Sequence, residues 1–121
     1  MKNDFVRGKD LEERMMRFSK CIREFVRQLP KTISNIEDVK QLVRSSGSVG
    51  ANYIEANESL GKKDFLMRVK TARKECKEAL YWLELLYLGE SLAVKSEHQR
   101  LLKEAQELRL ILSSIILKCS K

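Results

Sequence analysis

The 121-residue chain is poor in every residue type that usually interrupts or staples a fold. It has one proline, five glycines, three cysteines, one tryptophan and one histidine. With so few turn formers, and no long alternation of apolar and polar residues, strands are disfavoured and helices favoured. Cys21, Cys76 and Cys119 are widely spaced and form no CxxC pair, so zinc and dithiol motifs are excluded. His98 is alone in a polar stretch, where a solvated surface position is expected. It has no Ser-His-Asp or Cys-His company, and no Glu-x-x-His pair of a di-iron bundle occurs. Glycine-rich phosphate loops are also missing. No run of about 18 apolar residues could span a membrane, and residues 1–10 lack the apolar core of a signal peptide. These gaps lead to the expectation of a cytoplasmic protein with reduced thiols, no cofactor, no metal and no catalytic site.

What the chain does have is helical periodicity. Hydrophobic residues make up 43% and charged residues 34%, a composition that folds and fits one domain spanning 1–121. Leu11, Met15, Phe18, Ile22, Phe25 and Leu29 recur every three or four residues, predicting a helix over 11–29 that Pro30 stops. Ser34 and Glu37 have capping-box spacing before a second helix over 35–57. Its stripe is Ile36, Val39, Val43, Ser46, Gly50 and Tyr53. The run 45–51 is rich in serine and glycine, and close helix approach at Ser46 and Gly50, or at Gly47 and Ala51, would offset the propensity cost. A third helix over 63–88 carries Phe65, Val69, Ala72, Cys76, Ala79 or Leu80, Leu83, and Leu86 or Tyr87, with Gly89 as its stop. A fourth over 97–119 carries Leu101, Ala105, Leu108, Leu112, Ile115 and Cys119. The simplest fold is all-α, an antiparallel up-down-up-down four-helix bundle.

Two helices hold more apolar residues than one core face needs. Tyr81, Leu85 and Leu88 fall nearly opposite Cys76 and Leu83, and Leu110 and Leu117 nearly opposite Leu108 and Ile115. Such outer stripes predict homo-oligomerisation, unless loops or the N-terminal arm cover them. Trp82 belongs to the same zone as a core or interface anchor.

The chain carries 24 Lys and Arg against 17 Asp and Glu, a formal net charge of +7, which fits an anionic partner. Lys63, Lys70, Lys74 and Lys77 share a narrow arc of the third helix, with Arg73 at its border. The first helix adds Arg14, Arg17, Lys20, Arg23 and Arg27. Such strips neutralise phosphates of RNA or DNA; a solvated charged face is the alternative. No aromatic is interleaved with the arc, so base stacking is not indicated. Asn52 and Glu55, one turn apart, are expected to tie neighbouring helices by hydrogen bonds.

The run Val43-Arg44-Ser45-Ser46-Gly47-Ser48-Val49-Gly50-Ala51-Asn52-Tyr53-Ile54-Glu55 resembles the signature of the four-helix bundle proteins also called 23S rRNA-intervening-sequence or S23 proteins. Asp64-Phe65 and the run from Ala72 to Leu83 look like the same family. Ser48, Asn52 and Glu55 carry its polar pattern, and Ala56 stands where the family often has glycine. The resemblance implies small bacterial bundles, some encoded within rRNA intervening sequences. A related branch, the accessory protein of diversity-generating retroelements, implies pentamers that bind nucleic acid and a reverse transcriptase. The expected function is a homo-oligomeric accessory protein that binds the nucleic-acid backbone through Lys63, Lys70, Arg73, Lys74, Lys77, Arg17, Lys20 and Arg27. The alternative is a scaffold whose basic face docks an acidic protein.

Overall fold

Amphipathic helices must bury their apolar stripes against one another, and here four of them do so around a shared core. The computed structural model describes the backbone of residues 2–120 and the side chains of residues 8–120. Its helices are α1 (Lys2–Val26), α2 (Ile33–Asn57), α3 (Lys62–Leu85) and α4 (Leu92–Cys119), with no strand among the described residues. Residue pairs across the seams show the direction of packing. Glu12 meets Asn57 and Ser19 meets Ser46 between α1 and α2. Arg73 meets Ser113, Cys76 meets Ala105 and Leu83 meets His98 between α3 and α4. Arg14 meets Glu104 and Phe25 meets His98 between α1 and α4. Neighbouring helices therefore run antiparallel. They form a ring in which α1 lies diagonal to α3. Met15, Phe18, Ile22, Leu42, Val49, Val69, Leu83, Leu101 and Leu108 fill the centre.

The stripe of α1 is buried as expected, but the helix ends at Val26, not Leu29. Residues 27–29 tighten into turns, in which Gln28 donates to the Phe25 carbonyl at 3.0 Å and Leu29 to that of Val26 at 3.4 Å. At its other end the helix extends back to Lys2 through polar residues with no apolar period. The N-terminal arm, offered above as a cover for the outer stripes, lies up to Arg7 outside the described side chains.

The cap of α2 is Thr32 and not Ser34: its hydroxyl accepts from the Asn35 N–H at 3.1 Å. The stripe also sits differently. Ile36 is 48% exposed, while Asn35, Leu42, Ser45, Val49 and Ala56 are buried. Because α2 packs against both α1 and α3, its buried arc is wider than one heptad seam. Gly50 does mark the close approach to α1: a Cβ there would lie 3.4 Å from the Met15 Cβ. That distance is ordinary contact, so Gly50→Ala should be neutral or stabilising by up to ~1 kcal/mol through helix propensity. Gly50→Leu should cost about 2 kcal/mol by overpacking. Urea unfolding followed by circular dichroism measures both. Ala51, the other small residue proposed for close approach, is exposed.

Asn35 is the polar centre of one end of the bundle. It is only 2% exposed. Its amide donates to the carbonyls of Pro30 and Tyr87, both at 2.8 Å, and its Oδ1 accepts from the Tyr87 N–H at 2.9 Å. The side chain thus ties the α1–α2 loop to the α3–α4 loop. It also explains why α3 stops at Leu85 and not at residue 88: the Tyr87 N–H is taken by Asn35 and leaves the helical ladder. Gly89 then turns the chain at φ +73°, a conformation open to glycine. Leu88, expected on the outer face of α3, is consequently outside the helix and half-buried against the core.

The last helix starts at Leu92, five residues before the expected position, because the Ser91 hydroxyl caps it by accepting from the Val94 N–H at 3.2 Å. His98, three residues before Leu101 on the same stripe, lies inside the bundle. It is 8% exposed, bonded through Nε2 to the Leu83 carbonyl at 2.8 Å and stacked on Phe25, not solvated at the surface. At the far end the buried residue is Ile116, with Ile115 and Cys119 half-buried. A straight 3.6-residue period drifts away from the expected seven-residue repeat by that point.

Candidate nucleic-acid interface

Lysines spaced by seven, four and three residues stay on one edge of a helix, and α3 places Lys63, Lys70, Lys74 and Lys77 in such a row. All four are exposed, and none is engaged by a carboxylate among the described residues. At ~1.5 Å rise per residue the row is about 21 Å long. It borders two connected grooves. One, of about 750 Å³, is lined by Lys70, Arg73, Lys74, Lys77, Glu78, Tyr81, Trp82, Arg109 and Ser113. The other shares Lys70 and Lys74 and continues past Lys63 and Asp64 to Gly61, with Leu66 and Met67 as its apolar floor.

The seam with α4 shapes the first groove. Arg73 donates to the Ser113 hydroxyl at 3.4 Å, which holds its guanidinium at the α3–α4 boundary. Arg109 enters from α4, its nearest bond being to Gln106 at 3.3 Å. The only acid lining this groove is Glu78, and it is held by Arg44 of α2 at 3.2 Å. Arg44 also clamps Glu75 through two bonds of 3.2 Å. These carboxylates keep the Arg44 guanidinium protonated above its ordinary range, Glu75 contributing most. Glu75 and Glu78 are thereby drawn toward α2, away from the edge that carries Lys70, Lys74 and Lys77.

No described side chain of α1 lines this surface. Arg17 and Lys20 lie on α1, diagonal to α3, and Arg27 in the turn just after it, so the predicted single interface is split. Arg14 is spent on α4, where it bonds Glu104 at 2.8 and 2.7 Å and Glu107 at 2.8 Å. Arg14 holds the Glu104 carboxyl below its ordinary range. Arg27 pairs with Glu24 at 3.1 Å, and Arg23 donates to the Ser19 carbonyl at 3.2 Å.

The signature residues do not tie helices together as expected. Ser48 donates to the Arg44 carbonyl and Asn52 to the Ser48 carbonyl, each at 2.9 Å within α2, and Glu55 is exposed. The tie to α1 comes instead from Ser19, which donates to the Ser46 carbonyl at 3.1 Å, and from Asn57, which donates to Glu12 at 2.7 Å. Serine and asparagine side chains in a helix readily bond back to their own backbone, and sequence spacing alone does not reveal that choice.

Of the predicted outer stripe, Tyr81, Leu85, Leu110 and Leu117 are exposed and Leu88 is not. Tyr81 and Leu85 sit near the C-terminal end of α3, Leu110 and Leu117 in the second half of α4. Because these helices are antiparallel, Leu117 lies toward the opposite end of the bundle from Tyr81 and Leu85, while Leu110 sits near the middle, between the Arg73–Ser113 and Cys76–Ala105 contacts. Sequence reasoning missed Arg109, which needs the α3–α4 register. It also missed that Tyr81 continues the lysine arc: Tyr81 is one turn beyond Lys77, a signal present in the spacing. The expectation of an arc without aromatics is therefore corrected.

Beneath the groove, Cys76 is fully buried and donates to the Ala105 carbonyl at 3.2 Å. Burial pushes its thiol up to about 12. The folded value lies above the unfolded one, so this stabilising contribution is complete below an unfolded pKa of ~8.5 and is lost as pH rises toward 12. Native protein treated with a maleimide at neutral pH should label Cys21 and Cys119, both half-buried, before Cys76. Mass spectrometry of the peptides reads the order. Among the described residues no group of His, Cys, Asp and Glu is arranged to hold a metal, and no helix is long and apolar enough to cross a membrane.

Comparison with known proteins agrees with this architecture. A family model described as 23S rRNA-intervening sequence protein matches residues 9–114. A crystal structure of a protein of unknown function from the S23 ribosomal protein family of Bacteroides thetaiotaomicron VPI-5482 aligns with a TM-score of 0.73 at 28% identity. The alignment covers 88% of this chain and 97% of that one. No curated protein matches the chain.

Proposed function

The chain belongs to the 23S rRNA-intervening sequence protein family, and from that premise we propose that it is a cytoplasmic, non-enzymatic accessory protein that binds the RNA or DNA backbone along α3. The observation that carries this reading is the row of Lys63, Lys70, Lys74 and Lys77, flanked by Arg73 and Arg109, with Glu78, the acid of the α3–α4 groove, already paired to Arg44. Contacts of this kind bind phosphates without reading sequence.

The working form is a homo-oligomer, five copies by the family resemblance, with a reverse transcriptase as a further partner on the same ground. Supporting it, Leu85 and Leu117 remain exposed toward opposite ends of the bundle, with Leu110 exposed between them. Patches placed that way suit a head-to-tail contact, which closes into a ring when the rotation allows. Each added copy would repeat the lysine row and raise avidity.

Light scattering coupled to size exclusion, with and without generic RNA, tests both parts. The expected result is a mass above one chain and a complex with RNA that dissolves as salt rises. The logarithmic slope on duplex DNA should be near −0.9 per neutralised phosphate. A monomer indifferent to RNA overturns the proposal. An assembly that ignores RNA but binds acidic protein would favour the scaffold reading.

A further inference from the structure

The groove between α3 and α4 is more than a charged strip, because its upper end is aromatic. Tyr81 is 58% exposed and meets Trp82 edge to face, with ring centroids 5.1 Å apart and planes at 76°. In either edge-to-face arrangement, at least one face of the tyrosine ring is left open by that contact. Trp82 borders the same groove, and its indole N–H is buried without an acceptor among the described residues. A volume of about 750 Å³ falls within the range that seats a small ligand. So one concavity holds five cations along its wall and an open aromatic ring one turn beyond Lys77.

We infer that this groove selects single-stranded over duplex nucleic acid, one unpaired base stacking on Tyr81 while Lys70, Lys74, Lys77 and Arg109 hold the phosphates beside it. The inference rests on the nucleic-acid reading above and adds the class of strand. The physical reason is accessibility of base faces. In a duplex the faces are occupied by neighbouring bases, so a protein ring gains nothing from them without unstacking. In a single strand every base offers a face, and any base serves, so the preference is for strandedness and not for sequence. The Lys row supplies the backbone attraction that both forms share. Trp82 packs edge to face with the tyrosine and so limits the motion of its ring.

The test compares three probes of equal length: a mixed-sequence single strand, its duplex, and an abasic single strand that has phosphates but no bases. The wild-type protein should bind the single strand at least about tenfold more tightly than the other two. Tyr81→Ala should remove about tenfold from single-strand binding, the low end of what one base–aromatic stack contributes. It should leave duplex and abasic binding, the salt slope and the oligomeric mass unchanged. Tyr81→Phe should retain the preference. Trp82 is the only tryptophan, so its fluorescence should respond to the single strand and not to the abasic one.

Equal binding of all three probes, with Tyr81→Ala silent, overturns this inference and leaves the proposed function standing. Loss of all three together in Tyr81→Ala also overturns it, as does a fall in oligomeric mass, which would place Tyr81 in a subunit interface. If the wild-type protein binds none of the probes, the proposed function fails and this inference fails with it.

Discussion

Exchanging Asn35 for alanine should lower the unfolding free energy by about 3 kcal/mol, since three backbone groups lose their partner at once and each buried loss costs ~1–3 kcal/mol when water cannot replace it. The groups are the carbonyls of Pro30 and Tyr87 and the N–H of Tyr87. For a domain of this size the drop corresponds to roughly 10–15 °C in melting temperature. Asn35→Asp separates the hydrogen-bond explanation from simple loss of volume. Its carboxylate can still accept from Tyr87, but it faces two carbonyl oxygens with no proton to offer. Burial and those carbonyls raise the folded carboxyl pKa above the unfolded ~3.9. The neutral form is therefore favoured by folding, and the variant should be most stable below pH ~4 and lose stability as pH rises through the folded value. Thermal melts across that range read the slope. A flat profile, or an alanine variant as stable as the wild type, would show that the two loops do not depend on this side chain.

The second large effect belongs to the lysine row. Replacing Lys70, Lys74 and Lys77 by glutamate should weaken RNA binding by at least about a hundredfold at moderate salt. If each lysine neutralises one phosphate, the duplex-DNA salt slope should shrink by about 2.7. The side chains are exposed and unpaired, so the helix should fold as before and circular dichroism should not change. The matching triple reversal of Arg17 and Lys20 on α1 and of Arg27 just beyond it is the control. It alters the same net charge on the side of the bundle away from the groove. If both variants lost binding equally, bulk charge and not the α3 surface would be responsible.

The bundle was legible because helical periodicity depends on composition over long windows. The stripe of α1, the small residues at Ser46 and Gly50, and the arc from Lys63 to Lys77 all follow from residue spacing. Helix ends were less legible, since they depend on partners remote in sequence. The stop at Leu85 is set by Asn35, 52 residues from the Tyr87 it binds, and the start at Leu92 is set by a single serine hydroxyl. His98 was misread for another reason: its polar neighbours suggested the surface, although it precedes Leu101 by three residues on the buried stripe. The candidate site was half readable because it, too, depends on partners remote in sequence. Its α3 members share one helix and one period. Arg109 and Ser113 join only through the α3–α4 register, and the exclusion of Arg17, Lys20 and Arg27 requires the ring order of the four helices.

The shared amide of Asn35 also makes two of the three connections a single mechanical unit. Lengthening the segment between α1 and α2 would pull on the strand leading into α4, and the reverse would hold as well. The remaining connection, residues 58–61, sits at the other end of the bundle and carries a fully exposed Leu60. An inserted tag or graft has freedom there that neither partner of the knot can offer.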